Sequence, residues 1–273
     1  MPTPTPVPPW LDELSLNPGP PWLGMDAHNL AVDAWLAPDS DHHRDRQWKA
    51  ALLEQRPASV FQARDTPAVR VASQEVLDLI MADTGITDGP EGLHPLDAAG
   101  RMVQEDLCLM VLRDGAAHLD AASLCFPAYW RLEEKLGLPM AAVHAPVPHY
   151  GEELSDKVDM FLQRLRPERP VWRRNWAIHD DPSYFLPDPT PPYTGRAPDG
   201  LYLRSERQTL RRLTRAEVVL FTIRTQQVPL AVVADRPELA HSLAVAIDAW
   251  SPELVAYRGT HGARAARGWL ATR

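Results

Sequence analysis

Residues 201–230 read LYLRSERQTLRRLTRAEVVLFTIRTQQVPL. Two runs within it, Leu201 to Leu210 and Val218 to Thr225, have the composition and spacing of β-strands, with a charged connection between them. Side chains alternate faces along a strand. Tyr202, Arg204, Glu206 and Gln208 therefore share one face, and Leu203, Ser205, Arg207 and Thr209 share the other. The stretch holds six arginines. A plain sheet face has no use for so many guanidinium groups, and their number asks for anionic partners.

Working outward, VWRRNWAIH (171–179) reads as a further strand, followed by a long proline-rich loop. DLCLMVL and AHLDAASLCF flank Arg113-Asp114-Gly115, and an Asp-Gly pair between apolar runs signals a hairpin. Helical readings fall on DSDHHRDRQWKALLEQRPASVF, with Asp39 or Ser40 as cap and Trp48, Leu52 and Leu53 facing inward. They also fall on SQEVLDLIMADTG, capped by Ser73 and stopped near Gly85, on DAAGRMVQE, and on AYWRLEEKLG, ending at Gly137. GEELSDKVDMFLQRLRP has a helical period through Leu154, Val158, Phe161, Leu162 and Leu165, and RPELAHSLAVAIDAW closes the series near Trp250. Helices come first, then about five strands broken by two helices, then a helix. Tight turns between consecutive strands favour an antiparallel sheet, so the expected class is α+β.

The chain has 273 residues, a net charge of −8, two cysteines, 28 prolines and nine tryptophans. Its length suits one large domain or two small ones. The organisation expected is a proline-rich segment over 1–24, a single domain over 25–260 with helical N-terminal additions, and a C-terminal tail over 261–273. The acidic balance argues against a general nucleic-acid binder, and no uncharged apolar run approaches the roughly 18 residues of a bilayer span. MPTPTPVPPW lacks the basic and apolar regions of a secretory signal, and Cys108 and Cys125 form no disulfide framework, so a cytoplasmic protein is expected. GxGxxG after a strand, GxxxxGK[ST], GxSxG, HExxH and CxxCH are all missing.

His118 and Asp120 lie two apart in an expected strand and project from one face. With His179 or His241 they could form a two-histidine, one-carboxylate iron site. The plainer reading is a solvated strand face beside a hairpin, and for His179 a strand end before a turn.

GRMVQEDLCLM, LCFPAYWRLEEKLGLPMAAVHAPVPHY, RPVWRRNWAIHDDPSYFLP and LRSERQTLRRLTRAEVVLFTIRT occur in that order. Together they resemble the haem-dependent oxidative N-demethylase family, the oxygenase subunit of the dimethylamine monooxygenase type, over roughly Trp22 to Tyr257. The resemblance implies a PAS-like antiparallel sheet with flanking helices that holds a non-covalent b-type haem. It implies O₂ as co-substrate and removal of a methyl group from a small alkylamine as formaldehyde. The chain departs from the family pattern at Gln226 and Gln227, where an aromatic follows the threonine.

Given that resemblance, the arginines acquire roles. Haem propionates suit bidentate guanidinium groups, and Arg174 and Arg224, with Trp176 beside them, are candidates for haem contacts. Glu206 is the candidate anion for a cationic amine, and Arg204 or Arg207 the candidate donor at the oxygen site. Arg211, Arg212 and Arg215 read as surface charge at a turn. His144 in VHAPVP is the candidate iron ligand, with the Cys125 thiolate as its competitor. Cys125 reads equally as a buried small residue. The chain has no flavin, nicotinamide or iron–sulfur signature, so a separate reductase is expected. A haem-binding PAS-type sensor without turnover and a non-haem iron oxygenase on His118 and Asp120 are the alternatives.

Overall fold

The computed structural model describes residues 7–16, 26–87, 90–189, 193, 195–258 and 262–273. Of the proline-rich segment over 1–24, only 7–16 fall within the described residues. One antiparallel sheet organises them. Its strands are β1 (His28–Asn29), β2 (Phe61–Ala63), β3 (Asp106–Arg113), β4 (Ala116–Ser123), β5 (Val171–His179), β6 (Tyr202–Arg212) and β7 (Val218–Pro229). They lie in the order β1-β5-β6-β7-β3-β4-β2. The helices are α1 (His42–Gln55), α2 (Pro57–Val60), α3 (Pro67–Thr84), α4 (Pro95–Met102), α5 (Met140–Val143), α6 (Ser155–Arg164), α7 (Leu230–Ala234), α8 (Pro237–Asp248), α9 (Pro252–Arg258) and α10 (Ala263–Leu270). The α+β class is as expected from the sequence.

The two faces of the sheet carry different layers. On the first face, Leu107, Leu109, Val218 and Leu220 pack against Val76 and Ile80 of α3 and Leu96 of α4. Further along it, Ile178, Leu203 and Val228 meet Leu243 and Ile247 of α8. On the second face, Cys108, Met110, Leu210, Val219 and Ile223 meet Met140 of α5 and Leu162 of α6. The odd–even alternation of β6 and β7 sends one residue set to each layer.

Local chemistry explains the element ends. Asp114 and Gly115 have φ of 52° and 79°, the positive pair that a two-residue hairpin turn demands. Helix α3 starts at Thr66, whose hydroxyl accepts from the Val69 amide at 3.2 Å, with Pro67 in the first turn. It stops at Gly85, φ 70°. Ser73, expected as its cap, is buried inside the helix. Gly100 lets α4 approach β4, since a Cβ there would run into the Ser123 side chain.

Three further expectations differ in the structure. AYWRLEEKLG forms only one 3₁₀ turn, Leu132–Glu134. Tyr129 sits at φ 63°, and Gly137 donates to the Leu119 carbonyl while Leu119 donates to that of Leu138. Those bonds tie the segment to β4 and leave no room for a second helical turn. In α1 the buried side chains are Asp45, Lys49 and Leu53, whereas Trp48 is 44% exposed. The expected C-terminal tail contains α10, whose Ala263, Ala266 and Leu270 are buried beside α8, together with Trp10 and Leu11. Those apolar side chains gain more by burial than a free tail would.

Candidate functional site

The arginines divide between the two faces. On the first, Arg207 and Arg224 are direct cross-strand partners of β6 and β7. Arg224 is 2% exposed and donates to both oxygens of Asp39, at 2.9 and 2.8 Å, and reaches Asp45 at 2.9 Å. Gln104 ties Asp45 and Asp39 together. Arg224 lies beside Asp39 and, with hydrogen bonds from Gln104 and Gln226, holds its carboxyl below the usual range against the opposing effect of burial. Arg174 pairs with Glu13 and donates to Ser205 and Gln226. Gln226 in turn donates to Asp39. Arg207 donates to the carbonyls of Trp35 and Ala34 and lies over Trp172. Trp176 stacks on Trp250 at 5.4 Å, within the apolar layer of α8. The terminal guanidinium nitrogens of this face pair within the protein, while the Nε atoms of Arg174 and Arg224 are sealed without a partner.

The second face carries Glu206 and a different set. Glu206 opposes Asn175 of β5 and Thr225 of β7 and accepts from Gln208 at 2.9 Å. Arg173, two residues before Asn175, lies on the same side and opposes Gln208. Arg173 feels Glu206, Asp26 and the Tyr150 phenol electrostatically. His144 follows α5, and its ring stacks on Tyr150 with centroids 4.4 Å apart and 15° between planes. Its Nδ1 lies 3.0 Å from the Met140 carbonyl oxygen. Burial lowers the His144 pKa, as do the nearby Arg173 and Lys135 cations, against the Met140 hydrogen bond. The imidazole is therefore neutral near pH 7, with Nδ1–H donating to the carbonyl and Nε2 carrying the lone pair. That tautomer, fixed by a backbone acceptor, is the one a metal-ligating histidine uses.

Arg204 shares the face parity of Glu206 but is turned toward the sheet end. It is 2% exposed, and its guanidinium donates to the carbonyls of Phe126, Pro127, Ser183 and Tyr184. It lashes the loop after β5 to the segment after β4. Arg212 pairs with Glu217, and Arg215 with Asp78, both at the surface turn expected for them. Gln227 donates to the Pro182 carbonyl.

The competing ligand sets are not assembled. Cys125 is fully buried with Leu53, Val60 and Phe126 and points at the Lys49 carbonyl 3.9 Å away. Burial, with the Asp106 carboxylate adding to it, pushes its thiol far up, so the thiolate is disfavoured. Asp120 is held by Arg64 and Arg113. His179 stacks on Tyr129, and His241 is exposed on α8. Among the described residues, no group of three His, Cys, Asp or Glu side chains is placed to hold a metal ion. None of them forms a helix long and apolar enough to cross a membrane.

A groove of about 420 Å³ opens between α1 and the loop after β5, lined by Trp48, Leu52, Phe126, Tyr184 and Phe185 among others. Arg44 stacks over Trp48 and Tyr184 at its rim. Its lining includes no histidine or cysteine, and Tyr184 is the side chain there of a type that can ligate haem iron.

Glu206 and His144, singled out in the sequence, both lie within electrostatic reach of Arg173, which the sequence reading did not single out, nor did it single out Tyr150. The doublet Arg173-Arg174 was visible; which member faced Glu206 depended on the β5–β6 register. Residues 82–266 match the family model described as haem-dependent oxidative N-demethylase, alpha subunit-like. That match spans 185 of the 273 residues, and the chain belongs to this family.

Proposed function

We propose that this chain is the oxygenase subunit of a haem-dependent monooxygenase that demethylates a small alkylamine such as dimethylamine. The observation that carries the reading, beside family membership, is His144: a neutral imidazole with Nδ1 against a backbone carbonyl and its ring braced by Tyr150. These residues fit a non-covalent haem on the second sheet face, with His144 as the protein ligand, on a sheet of PAS-like character. Haem, when bound there, supplies the capacity to activate O₂.

The chain's own residues do the rest. Glu206 is placed to receive a protonated amine, since a desolvated ammonium needs an anion. Gln208 orients that carboxylate through its hydrogen bond. Arg204 positions the segments that close the sheet end. Arg174, Arg207 and Arg224, bound to protein partners, serve as framework for the opposite face. In the overall reaction R₂N–CH₃, O₂, two electrons and two protons give R₂NH, formaldehyde and water. The two electrons come from a separate reductase subunit, in keeping with an alpha-subunit-like chain.

Purified protein supplied with haem, a chemical or protein reductant and dimethylamine should release formaldehyde in proportion to amine and O₂ consumed. Haem binding without formaldehyde from any small methylamine would instead make the chain a sensor.

A further inference from the structure

Arg173, half-buried on β5, differs from the four buried arginines of the sheet. Arg174, Arg204, Arg207 and Arg224 each direct at least one terminal nitrogen to a named oxygen. Arg173 makes no hydrogen bond or ion pair to any described residue; its Nε is sealed from solvent without a partner, as are those of Arg174, Arg204 and Arg224, so the difference lies in its terminal nitrogens. Glu206 and Asp26 attract it only through space. Asp26 is engaged by His28 at 3.5 Å, and Glu206 by Gln208 at 2.9 Å. Burial lowers the Arg173 pKa, as expected where a cation is dehydrated without enough counter-charge. A half-buried guanidinium whose terminal nitrogens hold no protein oxygen is stabilised by an anion that reaches it. Its fork matches a carboxylate. His144 and Tyr150 lie close enough for its charge to act on both.

We infer that Arg173, on the same sheet face as His144, is the seat of a haem propionate carboxylate. The inference rests on the haem reading above. It assigns the anchor to Arg173 rather than to Arg174 or Arg224, which already hold carboxylates of the chain. Arg173 on β5 would hold the propionate, and His144 after α5 would hold the iron.

The test compares two ferric porphyrins with the same iron, haemin and haemin dimethyl ester, by spectral titration of the apoprotein. Wild type should bind haemin roughly tenfold or more tighter than the ester, the worth of a charge-assisted hydrogen bond. Arg173→Met should lose that preference, and Arg173→Lys should keep part of it, with circular dichroism confirming that both fold. Equal affinity of wild type for the two porphyrins overturns the inference while leaving haem binding intact. So does a preference that survives in Arg173→Met. Binding of neither porphyrin by wild type ends the inference together with the haem reading. Where Arg173→Met does not fold, Arg173→Lys carries the test, and a preference undiminished in it overturns the inference.

Discussion

Arg173 and Arg174 are consecutive in β5 and face opposite sides of the sheet, and only one of them is paired. Arg174 is closed by Glu13, Ser205 and Gln226; Arg173 has no hydrogen-bond partner among the described residues. Strand alternation alone puts two identical side chains in opposite electrostatic settings. One face thereby commits its guanidinium ends to protein oxygens, and the other leaves the end of Arg173 without a hydrogen-bonded oxygen among the described residues.

The committed face should govern stability. Asp45 is fully buried and shares Arg224 with Asp39. Removing one partner of a buried pair typically costs about 3–5 kcal/mol. Asp45→Ala should therefore lower the urea midpoint markedly without changing haem affinity per folded molecule. A midpoint like that of wild type would mean that water replaces the pair.

His144→Ala should lose haem or convert its spectrum, and added imidazole should partly restore it. Cys125→Ser should leave the spectrum nearly unchanged, because burial keeps that thiol protonated. The reverse pattern would move the iron to the thiolate.

The apoprotein should lose stability as pH falls below about 6.5, the ordinary histidine value. His144 and His94 both have lowered pKa values, chiefly through burial. The unfolded chain binds protons first, so their contribution is present above that pH and is lost as pH falls through the folded values. His94 adds a structural reason: its Nδ1 accepts from the Leu96 amide as the cap of α4, and protonation removes that acceptor. His94→Asn keeps a capping oxygen that does not titrate. Urea melts between pH 7.5 and 5 should show a shallower decline in this variant. An identical decline would place the acid sensitivity elsewhere.

Glu206→Gln should weaken the amine-induced spectral shift by orders of magnitude while haem content stays normal. Titrations that coincide with wild type would show that Glu206 does not receive the amine, and would leave it as a through-space partner of Arg173.

Much of this architecture is legible in the sequence. The β3–β4 hairpin follows from two apolar runs about Asp114-Gly115, and β5 coincides with VWRRNWAIH because both depend on local pattern. The orientation of α1 is not local. Asp45 and Lys49 face inward because Arg224 and Asp106, far along the chain, receive them. A hydropathy reading turns Trp48 inward instead, yet it is 44% exposed. AYWRLEEKLG has helical composition, and its fate is decided by hydrogen bonds to Leu119 of β4. The site divides the same way. Glu206 and His144 were legible as residue types in telling segments. Arg173 was not, because its distinction is the lack of a partner, which only the pairing of all its neighbours reveals.

The central claim is that the chain holds a non-covalent haem on the face of His144 and Arg173. Spectral titration of the purified apoprotein with haemin, followed by acidic butanone extraction, tests it most directly. The account predicts a Soret band that saturates at one haem per chain, with colour that moves into the organic layer. A protein that stays colourless with added haemin, or colour that stays with the polypeptide, would contradict it.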